Sequence, residues 1–252
     1  MASHLPAFLL QVVITDDNKW LDVDLGFEVN ISIATGTYDD MIAVAAALEV
    51  ALQVEDPTFT VTVGTTGTIT ITLGSGSYEI LWSSGTHGSA GTDQHIGTLL
   101  GFDDTADDTG AASYDSDLQH QRGFYCQDGA ILEFDSLNMP VKIGPASFIA
   151  VDGSLERCTY GDHTKRQIDL ATIPRALYFE EFATDANAPY ITWWKIASGG
   201  TPFILYSDTD PFTAEGQWAL IQGENEGLLE NTKRLDDSAA YFSTSLMMQR
   251  QA

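Results

Sequence analysis

The run from Gly36 to Phe102 constrains this chain most, because it spells one compact module in order: a capped helix, a hairpin, an aromatic strand and a closing Leu-Leu-Gly-Phe. Thr37 stands where it can cap the first helical turn, Asp40 takes the reciprocal capping-box position, and Asp39 and Asp40 lie at the positive end of the helix dipole. Met41, Ala45, Leu48 and Leu52 then form an apolar stripe, while Ala43, Ala46, Ala47 and Val50 leave the opposite side small and greasy. A helix apolar nearly all round is usually covered on more than one side. Phe59 to Val63 and Thr68 to Leu73 alternate with period two around Gly64-Thr65-Thr66-Gly67, which predicts a hairpin. Tyr78 to Trp82 is expected as a third strand, and Asp93 to Leu100 as a short helix stopped by Gly101, with Phe102 folding back to pack. The module argues for assembly, not chemistry.

Charge is the second constraint. The chain carries 11 basic against 36 acidic residues, a formal net charge of -25, and no lysine or arginine occurs between Lys19 and Arg122. Nucleic-acid affinity comes mainly from neutralising phosphates, so this half of the chain is expected to repel DNA rather than grip it. Such a surface suits the wall of a conduit through which DNA slides; it equally suits solubility or a saline habitat. The run Asp103-Asp104-Thr105-Ala106-Asp107-Asp108 lacks the alternating ligands and closing glutamate of an EF-hand loop, so a solvated loop is expected there and no metal site is assigned.

Enzyme constellations are weak. His4, His87, His95, His120 and His163 lack zinc-site spacing, and neither a G-x-S-x-G elbow nor a phosphate-binding glycine loop occurs. Acidic pairs such as Glu180-Glu181 or Asp208 with Asp210 arise by chance in so acidic a chain. No catalytic residue and no cofactor is expected. Cys126 and Cys158 do not make a disulfide framework and are expected as reduced, partly buried thiols, a bridge between them being the alternative. No apolar run approaches the roughly 20 residues that cross a bilayer, and the chain start lacks a signal-peptide pattern, so no membrane association is expected.

Punctuation sets the organisation. Residues 1–102 read as an α+β module, with Phe8 to Ile14 and Phe27 to Ile33 sharing one sheet with the hairpin and the helix near 38–53 lying across it. Residues 103–122 read as an acidic linker or arm, and 123–252 as a β-rich domain of many short strands. The fold class is thus mainly β: an α+β N-terminal module with one helix packed on an antiparallel sheet, followed by a β-sandwich or barrel-like domain. Ile191 to Ala197 is expected as a short helix stopped by Gly199-Gly200, and Tyr241 to Met248 as an apolar terminal strand that closes its own domain or adds to a neighbour's sheet.

The residues Gly36-Thr37-Tyr38, Ile80-Leu81-Trp82-Ser83-Ser84-Gly85 and Leu99-Leu100-Gly101-Phe102-Asp103 resemble a module of virion structural proteins of tailed bacteriophages, over about a quarter of the chain. The run Trp193 to Asp208 is similar to the "aromatic, short helix, G-x-P-F, aromatic, D" run of phage distal-tail and tail-tip proteins, although it lacks their arginine-rich lead-in. The resemblance implies a distal-tail or baseplate protein, made in the host cytoplasm and residing in the virion. It implies a homo-oligomeric ring that joins other tail proteins around a DNA passage, with no sequence-specific nucleic-acid binding. Candidate interface residues are Met41, Val44, Leu48, Leu52, Trp193, Trp194, Phe203 and Met247. The alternatives are a head decoration or host-glycan-binding protein that uses Trp82, Trp193, Trp194 and Trp218, and a hydrolase acting on that glycan.

Overall fold

The computed structural model describes residues 7–120, 122–125, 132–133, 139–142, 146–149, 155–158, 162–174, 189–209, 212–221, 233–234 and 241–250. It is mainly β, with several antiparallel sheets and a few helices. Two strands open the chain and part company at Gln11: β1 (Ala7–Leu10) enters a large sheet, whereas β2 (Val12–Ile14) pairs with β5 (Gly36–Tyr38). Between them, β3 (Trp20–Asp24) and β4 (Glu28–Ser32) form a hairpin.

Helix α1 (Met41–Leu52) starts one turn later than Thr37. Pairing of Gly36–Tyr38 with Val12–Ile14 keeps the chain extended through Tyr38, so Asp40 becomes the cap and its Oδ1 accepts the Ala43 N–H at 2.9 Å. The apolar stripe falls inward as its spacing requires, with Met41, Val44, Ala45, Leu48 and Leu52 all buried. Strands β6 (Thr60–Val63) and β7 (Ile69–Thr72) form the expected hairpin, in register Val63 to Ile69, and α1 packs on β6.

Strand β8 (Tyr78–Ile80) does not join that hairpin; it pairs with β3 and with β9 (Asp108–Ala111), while β10 (Ser113–Asp115) pairs with β7. The module therefore has three small sheets, β4-β3-β8-β9, β10-β7-β6 and β2-β5, where one sheet was expected. The acidic stretch 103–122 is likewise not a free linker, since it supplies the edge strands of two of them. Helix α2 (Gly97–Leu100) ends as expected at Gly101, whose φ of 93° is left-handed, and the Phe102 N–H returns to Gly97 O at 3.1 Å. A Cβ on Gly101 would collide with Leu118 O, so glycine is required there on two grounds.

The remaining strands are β11 (Gly123–Tyr125), β12 (Leu132–Glu133), β13 (Met139–Lys142), β14 (Ala146–Ile149), β15 (Leu155–Cys158), β16 (Asp162–Pro174), β17 (Phe203–Thr209), β18 (Phe212–Leu220), β19 (Lys233–Arg234) and β20 (Tyr241–Arg250). Strands β14 and β15 form a separate hairpin; the large sheet runs β11-β1-β17-β18-β20-β16-β12, with β13 on β16 and β19 on β20. Helix α3 (Pro189–Ser198) supplies Trp193 and Ala197 to a core with Phe8, Leu10, Phe203, Trp218 and Met248 from this sheet. Gly200 beyond its end has a φ of 94°. The terminal strand β20 lies between β18 and β16, so its edges are already paired within the chain. The pair Glu180-Glu181 and Cys126 lie outside the described residues, as do the side chains of Cys158 and Met247.

The two halves meet through buried polar groups. The Tyr206 hydroxyl on β17 donates to Asp40 Oδ2 at 2.6 Å, and Asp40 is only 3% exposed. Beside it Ala7, Leu9, Tyr125 and Tyr206 cluster with Ile42 and Val63. His120 Nδ1 accepts the Arg122 N–H at 3.2 Å, which places the neutral ring's proton on Nε2, 2.7 Å from the Tyr125 hydroxyl. Burial pushes His120 down to about 3 and raises Tyr125 well above its ordinary value.

Two outcomes follow. Tyr206→Phe leaves a buried carboxylate short of one donor and lowers unfolding free energy by about 1–3 kcal/mol in urea titration. His120 is neutral when folded and protonated when unfolded between pH 6.5 and about 3, so its contribution is complete above 6.5 and falls as pH drops through that window. His120→Asn therefore flattens the acid limb of the stability–pH curve.

Candidate functional site

The Gly/Ser/Thr loop of residues 83–95 is built around Asp22, which is 2% exposed. Asp22 Oδ2 accepts the His87 N–H at 2.5 Å, and Oδ1 lies 2.9 Å from His87 Nδ1 and accepts Asn30 Nδ2 at 2.8 Å. A Cβ on Gly85 would come within 2.6 Å of Asp22 Oδ2, which explains the glycine. The His87 ring stacks on Trp20 at 4.0 Å with 5° between planes, and Lys19 Nζ sits 5.2 Å from the Trp20 ring centre. Glu28 Oε1 accepts the Thr86 N–H at 2.8 Å, and this bond holds its carboxyl below the usual range. An aspartate–histidine pair can orient a base for catalysis. Here both partners instead pin the loop to β3: the His87 N–H and ring both meet Asp22, while the His87 carbonyl accepts the Gln94 N–H at 3.0 Å and closes the loop on itself.

The aspartate run works the same way and is not a solvated loop throughout. Asp107 Oδ1 accepts the N–H groups of Ser83 and Ser84 at 2.7 and 3.0 Å, Asp108 Oδ2 accepts Trp82 Nε1 at 2.9 Å, and Asp104 Oδ2 accepts the Thr98 hydroxyl at 3.1 Å. Burial opposes ionisation of Asp107, but its bonds to Ser84 and Ser83 prevail and hold it low. For Asp108 burial wins over the Trp82 bond, and the charges of Asp117, Asp103 and Asp107 push its carboxyl further up. His95 Nε2 lies 3.6 Å from both Asp93 and Asp104. A cleft of about 290 Å³ opens beside Asp24 and Glu79, which oppose each other in the β3–β8 register; Asp24 Oδ1 is engaged by the Gly26 N–H.

Six of the eight candidate interface residues are buried in the chain's own cores. Met41, Val44, Leu48 and Leu52 are at most 1% exposed in the first module's own core, and Trp193 and Phe203 are fully buried in the second. Trp194 is partly buried against that same core, and Met247 stands opposite Gln167 on β20. The strongest apolar stripe of the helix is taken by the chain's own core, which turns the weaker side outward. That side carries Ala46 and Val50, and Val54 follows in the turn just past the helix end, with Val50 66% and Val54 78% exposed. Val50 was legible as part of the greasy opposite side, whereas Val54, exposed Val13 and exposed Phe27 carried no periodic signal. Of the tryptophans considered for glycan binding, Trp82, Trp193 and Trp218 are core residues and Trp194 is partly buried.

No protein-family model matches the chain, and no curated protein and no solved structure matches it either.

Asp108→Asn keeps a carbonyl acceptor for Trp82 Nε1 and removes one charge from the aspartate group. Its folded carboxyl is raised above 3.8, so ionisation costs stability as pH rises through the folded value. The variant is expected to melt higher than wild type at pH 7, by at most ~0.5 kcal/mol because solvent screens the group. That advantage disappears below pH 3.8 in thermal scans.

Proposed function

We propose that the protein is a structural subunit of a tailed-phage virion, placed at the distal tail or baseplate, where copies assemble into a ring around the DNA passage and join other tail proteins. The observation that carries this reading is the outer side of α1. Its inner side fills the core, yet Val50 and, just past the helix end, Val54 remain 66% and 78% exposed. Leaving branched aliphatic side chains in water forgoes about 25 cal/mol per Å² of apolar surface, which assembly recovers.

Two further features support it. The motif segments that resemble virion proteins pack against each other: the Trp82 ring lies 4.9 Å from Phe102, and Asp107 and Asp108 bind the Trp82-Ser83-Ser84 segment. The stretch between Lys19 and Arg122 offers phosphates no cation, which fits a wall along which DNA slides without being held. The mechanism is geometric: contacts and charge, with no bond made or broken.

Purified protein is expected to give particles at multiples of 27.3 kDa by native mass measurement and annular images in negative stain. A lone 27.3 kDa species under every condition contradicts the reading.

A further inference from the structure

Two large cores are joined by a small third one. Val12, Leu48, Ile71 and Phe102 belong to the core of the first half, and Phe8, Trp193, Phe203 and Trp218 to that of the second. Between them lie Ala7, Leu9, Tyr125 and Tyr206, and this small joint gathers buried titratable groups out of proportion to its size: Asp40, Tyr125, Tyr206 and His120. We infer that the joint is a proton-operated hinge, in which charging His120 releases the two halves from each other while each keeps its own core. The hinge lies within a single chain and is independent of how copies assemble.

The closed joint has no place for a charged His120. Its ring is buried, with 1% exposed. Nδ1 accepts the Arg122 N–H at 3.2 Å, so a proton added there sets two N–H groups against each other and breaks this bond. Nε2 already donates to the Tyr125 hydroxyl at 2.7 Å. Among the described residues no carboxylate pairs with either nitrogen. Asp117, on the same connection, is exposed and accepts the Asp103 N–H. Asp40, whose charge reaches Tyr125 from the start of α1, has its oxygens taken by the Ala43 N–H and the Tyr206 hydroxyl. The Gly64–Gly67 turn and β1 contain no ionisable side chain, and Arg122 is itself a cation. A buried ion left without a partner is costly, so the protonated ring leaves.

Its departure undoes the contacts around it. The His120 N–H is held by Gly67 O at 3.1 Å, and Arg122 O holds the Leu10 N–H at 2.8 Å. The Gly67 turn of the first half approaches the Tyr125 ring of the second so closely that a Cβ there would come within 2.5 Å of it. Displacing the imidazole therefore loosens the chain crossing, the end of β1 and the hairpin turn together. Burial holds His120 down at about 3 in the closed joint, against 6.5 once released. The closed form is thus fully favoured above pH 6.5, and opening gains about ten-fold for each unit that pH falls below it, until about 3.

Hydrogen exchange of the full chain, resolved to single amides and corrected for intrinsic rate, tests this as pH is lowered from about 7 to about 4.5. The amides of Leu10, His120 and Arg122 are expected to lose protection about ten-fold per pH unit, while those of Leu48 and Leu52 in one core and Trp218 in the other hold theirs. Equal loss at all six is global unfolding and overturns the hinge, and so does protection at the first three that does not change with pH. His120→Asn is expected to flatten the slope; a slope that survives it overturns the assignment to His120. Tyr125→Phe keeps the imidazole and deletes only its hydroxyl partner, so the joint opens more at every pH with the slope retained. A flat profile in Tyr125→Phe equally overturns the hinge, which keeps the test decisive where His120→Asn does not fold.

Discussion

One buried carboxylate sets the arrangement on which the rest of the molecule depends. Asp40 caps α1 through the Ala43 N–H and receives the Tyr206 hydroxyl from the large sheet with its other oxygen. A charge taken this far out of water is tolerated only when its lone pairs are met, and both partners meet them with short, charge-assisted bonds. The same contact fixes how α1 is rotated. With Asp40 anchored to Tyr206, Met41, Val44, Leu48 and Leu52 turn into the core and Val50 is turned out. The neighbouring His120–Tyr125 bond and the chain crossings at Gln11 and between β10 and β11 tie the halves again, so the exposed side of α1 is presented by a braced surface.

Acidity in this protein has two separate causes. Asp22, Asp104, Asp107 and Asp108 accept hydrogen bonds from loop backbone, an indole and a hydroxyl, and so fold a glycine-rich segment that has few apolar contacts of its own. These carboxylates are consumed internally. Acids such as Glu55 are exposed, and they give the surface a negative field that repels phosphates. Net charge alone therefore overstates what the surface offers and understates what the interior needs.

Local signals were legible where a few neighbouring residues decide the outcome. The Gly64–Gly67 hairpin, the stop at Gly101, the helix before Gly199-Gly200 and the mainly β class all follow from period and turn chemistry. What failed were statements about partners distant in sequence. Thr37 was a good cap in isolation, but pairing with Val13 holds it extended. Residues 103–122 look like a linker because they are acidic and small, yet their carboxylates and strands are spent on a loop and two sheets that composition does not reveal. The burial of Met41, Val44, Leu48 and Leu52 has a related reason: periodicity measures how apolar a stripe is, and the most apolar stripe is claimed first by the chain's own core.

The central claim is that the outer side of α1 exists to be covered by another copy. An image reconstruction of the assembled protein at side-chain resolution tests it most directly. The account predicts that Val50 and Val54 are buried against a neighbouring subunit in every copy. An assembled particle in which both side chains face solvent contradicts it.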